Sequence, residues 1–215
     1  MKGTELVWRA ICDAALAGDR RWRSIADLAI AADVPAATAA FGVRKLVEIG
    51  AVEQHARGGF STVNPEKALT VLAVGRNFAR DTIAATTLAL ASEITDHHPN
   101  GYALGGSAAA VHYLGGQNNI ASLGRQILYL SDEVIRYLSD ENGVRLDLIE
   151  PGDEVLLLRM SGRAVRDWTD GYCSPAQAYA DLFASPGWQA EEFRRALWTR
   201  WFDEADWAQG RELRA

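Results

Sequence analysis

Apolar positions near the start of the chain recur first at helical and then at strand spacing. The helical period begins at Thr4 and stops before Gly18. Ser24 is a favourable N-cap with Asp27 three residues on, and Pro35 ends the helix that follows because a proline drives the preceding residue out of the helical region. The pattern predicts helices over 4–17, 25–32 and 36–49, strands over 51–54 and 60–63, and a hairpin tip at 57–59.

This order of elements is typical of a winged helix-turn-helix. A short helix, a turn of Asp33-Val34-Pro35 and a longer helix are followed by a glycine-tipped hairpin. Each part is common alone, but the joint order is much more specific. We therefore predict a DNA-binding module over residues 1–65.

Downstream of Pro65, short apolar runs alternate with helical patterns. Two helices, over 65–81 and 81–94, are predicted to form a helical connector spanning 66–94. Residues 95–215 are predicted to form a separate domain, so the fold class is α+β: a winged helix-turn-helix followed by a mixed α/β domain. In that domain we expect strands over 102–104, 126–130, 144–149 and 154–158, and helices over 107–114, 132–138, 175–184 and 188–207.

Charge is divided unevenly along the 215 residues. The net charge is −6, but residues 1–65 carry eight Lys/Arg against seven Asp/Glu, which is +1, and the remainder carries 14 against 21, which is −7. The acidic balance therefore lies outside the predicted DNA-binding module, and binding to phosphates depends on where cations cluster.

Composition indicates a cytoplasmic protein with no membrane partner. No apolar run approaches the roughly 20 residues that span a bilayer, and the N-terminus lacks the apolar core of a signal peptide. The two cysteines, Cys12 and Cys173, give no disulfide framework and are expected to be small core residues.

The second helix of a helix-turn-helix enters the major groove, with its first residues facing base edges. The alanine methyls there are suited to thymine methyls, and Thr38 to a base or a phosphate. The pattern leaves open whether Phe41 or Ala40 joins Val43, Leu46 and Val47 in the core. Arginines before the first motif helix are expected at phosphates, and Arg57 in a minor groove. The predicted DNA-binding residues are Arg20, Arg21, Arg23, Ala37, Thr38, Phe41, Arg44, Lys45 and Arg57.

A single module of this size buries too little surface for tight specific binding, so a homodimer on a two-part site is expected. The last predicted helix carries Phe193, Leu197 and Trp201 at a spacing of four. This stripe is expected to pack on its own domain; if exposed, it would be a dimer or partner surface.

Two segments of the second domain carry a family resemblance. One reads Gly-Tyr-Ala-Leu-Gly-Gly-Ser-Ala from Gly101, a strand and a turn before a helix, and the other reads Tyr-Ala-Asp-Leu from Tyr179. With a preceding winged helix, this order resembles the AbiEi antitoxins of type IV toxin–antitoxin systems and related transcriptional regulators. The resemblance implies a repressor of its own operon, with a cognate nucleotidyltransferase-like toxin as a possible partner.

The turn at Gly105-Gly106-Ser107 also resembles the start of a nucleotidyltransferase fold. That chemistry needs two carboxylates one residue apart on the next strand, so that both face one Mg²⁺. The predicted strand 126–130 contains no acid, so we expect a degenerate scaffold with no catalytic residues, metal or cofactor. The alternatives are a nucleotidyltransferase with a DNA-targeting module and a protein–protein adaptor whose winged helix never meets DNA.

Overall fold

A computed structural model describes residues 2–116, 118–120, 122–139, 154–168 and 170–203. For residues 201–203 only the backbone is described. The chain divides into two compact units, one comprising residues 1–76 and the C-terminal residues from 195, the other residues 77–194. The α+β class is confirmed. Among the described residues no single helix is long and apolar enough to cross a membrane; only the helix pair Ile25–Ala32 and Ala36–Glu48, bent by 107°, has the length and composition when taken together.

Residues 2–76 of the first unit form four helices and a small antiparallel sheet. The sheet has the strand order β1-β3-β2, with Trp22 opposite Phe60 and Gln54 opposite the same phenylalanine. The elements are α1 (Gly3–Leu16), β1 (Arg21–Trp22), α2 (Ile25–Ala32), α3 (Ala36–Glu48), β2 (Val52–Gln54), β3 (Phe60–Thr62) and α4 (Pro65–Gly75).

The core of this unit is formed by the apolar faces of its helices, which pack against one another. Helix α1 buries Val7 and Ile11, and α4 buries Leu69 and Leu72, at the spacings that place side chains on one helical face. The contact between α1 and α3 is close because Gly42 has no side chain: a Cβ there would lie 2.8 Å from Val7 Cγ1. The Trp8 indole donates a hydrogen bond to the Gly42 carbonyl at 3.1 Å.

The three helices and the hairpin predicted in this part are confirmed, with ends shifted by two residues or fewer. Ser24 caps α2 by accepting a hydrogen bond from the Asp27 N–H at 3.1 Å. The core face of α3 is formed by Ala39, Gly42, Val43 and Leu46. Phe41 and Ala40 are both exposed, so the expectation that one of them is buried was wrong.

The second unit is built on a mixed four-stranded sheet of order β4-β7-β6-β5. Strands β6 and β7 are parallel, and each edge strand is antiparallel to its neighbour. The elements are α5 (Phe78–Asp81), β4 (Thr82–Thr86), α6 (Leu88–His97), β5 (Tyr102–Gly105), α7 (Gly106–Tyr113), β6 (Gln126–Leu130), α8 (Asp132–Ser139), β7 (Val155–Arg159), α9 (Gly162–Asp167), α10 (Pro175–Ala184) and α11 (Trp188–Leu197). The last three residues of α11 and the π-type helical turn that follows it (Trp198–Asp203) are assigned to the first unit.

Helices α6 and α8 cover one face of this sheet, where Leu128, Leu130 and Leu157 join Ile94 and Leu138 in one apolar cluster. The alternate residues of the strands point to the opposite face, which is occupied by α7 and α10. Both cysteines are fully buried, as expected.

In the structure, the predicted connector 66–94 is divided between the two units. Its first part is α4, which packs on α1 inside the first unit, and its remainder belongs to the second unit. The helix expected from Asp81 begins only at Leu88, because residues 82–86 form strand β4 and pair with β7. The strand predicted over 144–149 lies outside the described residues, as does the end of the helix predicted to reach Trp207.

The described part of α11 packs within the protein. Phe193 and Leu197 are buried, as expected of an inward stripe, and the side chain of Trp201 lies outside the described part. Arg194 donates hydrogen bonds to both carboxylate oxygens of Glu191, at 2.7 and 2.9 Å, and one to the Tyr179 hydroxyl at 2.7 Å. The hydrogen bonds to Glu191 raise the pKa of Arg194 above its ordinary value.

Candidate nucleic-acid interface

Helix α3 presents an outer face whose first two turns are apolar and whose third turn is charged. Ala36, Ala37 and Ala40 are exposed, and Phe41 leaves 44% of its surface accessible. One turn further on, the side chains of Arg44 and Lys45 are 65% and 47% exposed. This face is therefore available for a ligand that combines apolar and anionic groups.

The charged turn is organised around Phe41 and Glu48. The Arg44 guanidinium carbon lies 5.1 Å from the centre of the Phe41 ring, and the Lys45 Nζ lies 5.7 Å from it, both within cation–π range. Glu48 is 3.1 Å from Lys45 Nζ and 4.0 Å from Arg44 Nε. Exposed pairs of this kind contribute only about 0–1 kcal/mol, so an incoming phosphate can compete with Glu48 for both cations.

Thr38 occupies a different environment from its alanine neighbours. It is half-buried, and a Cβ placed on Gly3 would lie 2.8 Å from its methyl carbon. The methyl of Thr38 therefore faces the first residue of α1. A contact between its hydroxyl and DNA stays a prediction.

Arg57 stands at the exposed tip of the β2–β3 hairpin. The tip is closed by hydrogen bonds from the Gly58 N–H to the His55 carbonyl, at 3.0 Å, and from the His55 N–H to the Gly59 carbonyl, at 3.1 Å. Gly59 has a φ of +79°, and a Cβ there would lie 2.5 Å from the Trp22 carbonyl oxygen. The hairpin thus needs glycine at this position in order to hold Arg57 beyond the sheet.

The arginines that precede α2 lie on or directly beside β1, the strand that pairs with β3 of this hairpin. Arg21 and Arg23 are exposed, whereas Arg20 is half-buried and its carbonyl accepts a hydrogen bond from the Thr62 N–H at 2.8 Å. Strand β1 pairs with β3, and a Cβ on Gly59 would lie 2.9 Å from the Arg23 carbonyl oxygen. The sheet therefore brings the backbone of Arg23 beside Gly59, at the tip of the hairpin that carries Arg57, which the sequence did not predict.

In the second unit, the two motifs that carried the family resemblance meet in the core. A Cβ on Gly105 would lie 2.8 Å from Asp181 Oδ2. The Tyr129 hydroxyl donates to both oxygens of this carboxyl group at 2.8 Å, and Gln177 Nε2 donates to Oδ1 at 2.9 Å. All of these residues are buried, so the cluster ties α10 to the sheet and offers no surface to a substrate.

Side chains for a metal ion and pockets for a phosphate are the features of the second unit that bear on nucleotide chemistry. Within the described ranges there is no group of three His, Cys, Asp or Glu side chains suited to a metal ion. A cavity of about 200 Å³ lies beside α6, β5 and the starts of β6 and β7. Its lining is apolar apart from Ser92, Thr95 and Gln126, so it presents no charged group to a phosphate.

Comparison of the chain with family models, with curated proteins and with solved structures gives no match. The geometry of the residues themselves therefore carries the functional argument.

Proposed function

We propose that the first unit is a winged helix-turn-helix that binds double-stranded DNA, with α3 in the major groove. The observation that carries this proposal is the arrangement of α2 and α3. They are joined by a turn of three residues and their axes differ by 107°, within the range of about 90–120° found in helix-turn-helix motifs. The outer face of the second helix of this pair is exposed and carries Arg44 and Lys45.

The hairpin supplies the second part of the proposed interface. The proposed wing is the glycine-closed tip bearing Arg57, with the backbone of Arg23 beside Gly59, and it would contact DNA beside the recognition helix. These cations, rather than the net charge of the chain, would provide the phosphate contacts.

We further propose that the protein is a transcriptional regulator, and specifically the antitoxin of a type IV toxin–antitoxin system that represses its own operon from the cytoplasm. The resemblance of the second unit to AbiEi antitoxins supports this assignment, as does the contact between Gly105 and Asp181, which joins the two motif segments in one core. The role proposed for that unit is binding, not catalysis. Transfer of a labelled nucleotide by the protein in the presence of Mg²⁺ would overturn that view, and rescue from the product of the adjacent reading frame would support the antitoxin assignment.

The DNA-binding proposal is tested with full-length protein and the duplex upstream of its own gene. We expect Arg44→Ala and Arg57→Ala each to weaken binding, because each variant loses one phosphate contact. The slope of log K against the logarithm of the salt concentration should become shallower by about one in each variant. Fluorescence anisotropy across a salt series measures both quantities. Arg166→Ala is the matched control, because Arg166 is an exposed arginine on α9 in the other unit.

Affinity and salt slope that are unchanged in both variants would remove α3 and the hairpin from the interface. An equal loss in Arg166→Ala would show that binding follows overall charge. The predicted homodimer is tested separately by sedimentation of the free protein and of the complex.

A further inference from the structure

We infer that α3 reads the C5-methyl groups of pyrimidines in the major groove, with Phe41 as the principal contact. This inference rests on the proposed DNA-binding function and names the chemistry that the interface would recognise. Base edges in the major groove are distinguished either by hydrogen bonds or by apolar contact with the methyl group of thymine. The exposed side chains at the start of α3 allow only the second of these.

The first six residues of α3 expose almost no hydrogen-bonding side chain. Four of these residues are exposed and have side chains that end in carbon: Ala36, Ala37, Ala40 and Phe41. Of the other two, Ala39 is buried, and Thr38 is half-buried with its methyl toward Gly3. A helix that read bases through hydrogen bonds would expose Asn, Gln or Arg at these positions.

Phe41 is placed so that its burial against DNA would add an apolar contact to the interface. It is 44% exposed on the free protein, and Arg44 and Lys45 lie within 6 Å of its ring on the side away from the helix start. Phosphates bound by these two cations would set the helix against the groove wall, with the ring and alanine methyls toward the base edges. Ala37 and Phe41 are four residues apart, about 6 Å along the axis, and can therefore reach different base pairs.

The arrangement separates the two contributions to binding. Arg44 and Lys45 supply affinity that does not depend on sequence, because phosphates are the same at every step. Phe41 and the alanines supply discrimination, because a C5-methyl is present on thymine and 5-methylcytosine and absent from uracil and cytosine. Duplexes that differ only in this methyl group therefore isolate the inferred contact.

The experiment compares full-length protein on alternating adenine–thymine and adenine–uracil duplexes of equal length, and on alternating guanine–cytosine duplexes with and without 5-methylation. We expect tighter binding to the methylated member of each pair, by about fourfold for every methyl group that becomes buried. Phe41→Ala should lower both ratios toward one, because it removes the principal contact and leaves only the alanine methyls. Lys45→Ala should weaken binding to both members equally and leave the ratios intact.

A conservative variant distinguishes contact with the C5-methyl groups from a structural role of the Phe41 ring. Phe41→Leu keeps an apolar side chain and should keep part of the methyl preference, with unchanged circular dichroism in both Phe41 variants. Wild-type protein that binds all four duplexes with ratios of one would overturn the inference and leave the DNA-binding proposal standing. Protein that binds none of them at low salt would overturn the DNA-binding proposal itself.

Discussion

Removal of the Asp181 carboxyl group is expected to destabilise the second unit strongly. This group accepts hydrogen bonds from Tyr129 and Gln177 at 2.8–2.9 Å, and all three side chains are at most 1% exposed. In Asp181→Ala both donors lose this acceptor in a place that water does not reach. A buried donor deprived of its partner costs about 1–3 kcal/mol, so two donors predict a loss of about 2–6 kcal/mol.

The conservative variant should fall between this value and the wild type. Asp181→Asn keeps the shape of the side chain and one acceptor oxygen, so one donor stays satisfied, and we expect a loss of about 1–3 kcal/mol. Asp132→Ala is the matched control from the same unit, because Asp132 is 69% exposed and pairs with Arg159 across 3.4 Å. An exposed pair of this kind is worth about 0–1 kcal/mol.

Urea unfolding followed by tryptophan fluorescence measures these free energies. Trp168 is a local reporter, since its ring meets the Tyr129 ring edge-on with centroids 4.9 Å apart. The expected order of stability is wild type and Asp132→Ala, then Asp181→Asn, then Asp181→Ala. The reasoning fails if Asp181→Ala unfolds within 1 kcal/mol of the wild type.

Three further predictions concern the first unit, with urea unfolding of the full-length protein as the measurement. Gly42→Ala should cost about 1–3 kcal/mol despite the higher helix propensity of alanine, because its Cβ would lie 2.8 Å from the buried Val7; if Val7→Ala does not restore part of the loss, the steric account is wrong. Gly59→Ala should cost about 2 kcal/mol or more, because it adds a clash with a β1 carbonyl to backbone strain. Gly58→Ala meets no atom within 4 Å and should show only the strain, about 1 kcal/mol, so equal losses would contradict this difference. Ser24→Ala should cost about 1 kcal/mol through loss of the α2 cap, and no change would show that the cap is dispensable.

Features with local causes could be predicted from the sequence. The cap at Ser24 and the tip at Gly58-Gly59 involve residues that are close in the chain, and both are confirmed. Helix α10 also has its predicted ends, because Ser174 caps it and Pro175 fits its first turn. Features that need a distant partner were missed. Strand β1 has only two residues and exists through its pairing with β3. Strand β4 lies in the segment 81–94, for which a helix is predicted, but it pairs with β7.

For the candidate interface, the sequence alone determined which residues are cationic and which helix carries them, because charge and helical period are properties of the local chain. Tertiary packing decided which way α3 is turned. Val7 of α1 packs against Gly42, which has no side chain. Because this face of α3 meets α1, Ala39, Val43 and Leu46 lie in the core and Phe41 is exposed. The same is true of the second unit: Gly105 and Asp181 are recognisable as motif residues in the sequence, but only folding places one against the other. A single sequence records the spacing of residues along the chain, whereas the face a helix buries is selected by the shape of the surface it packs against.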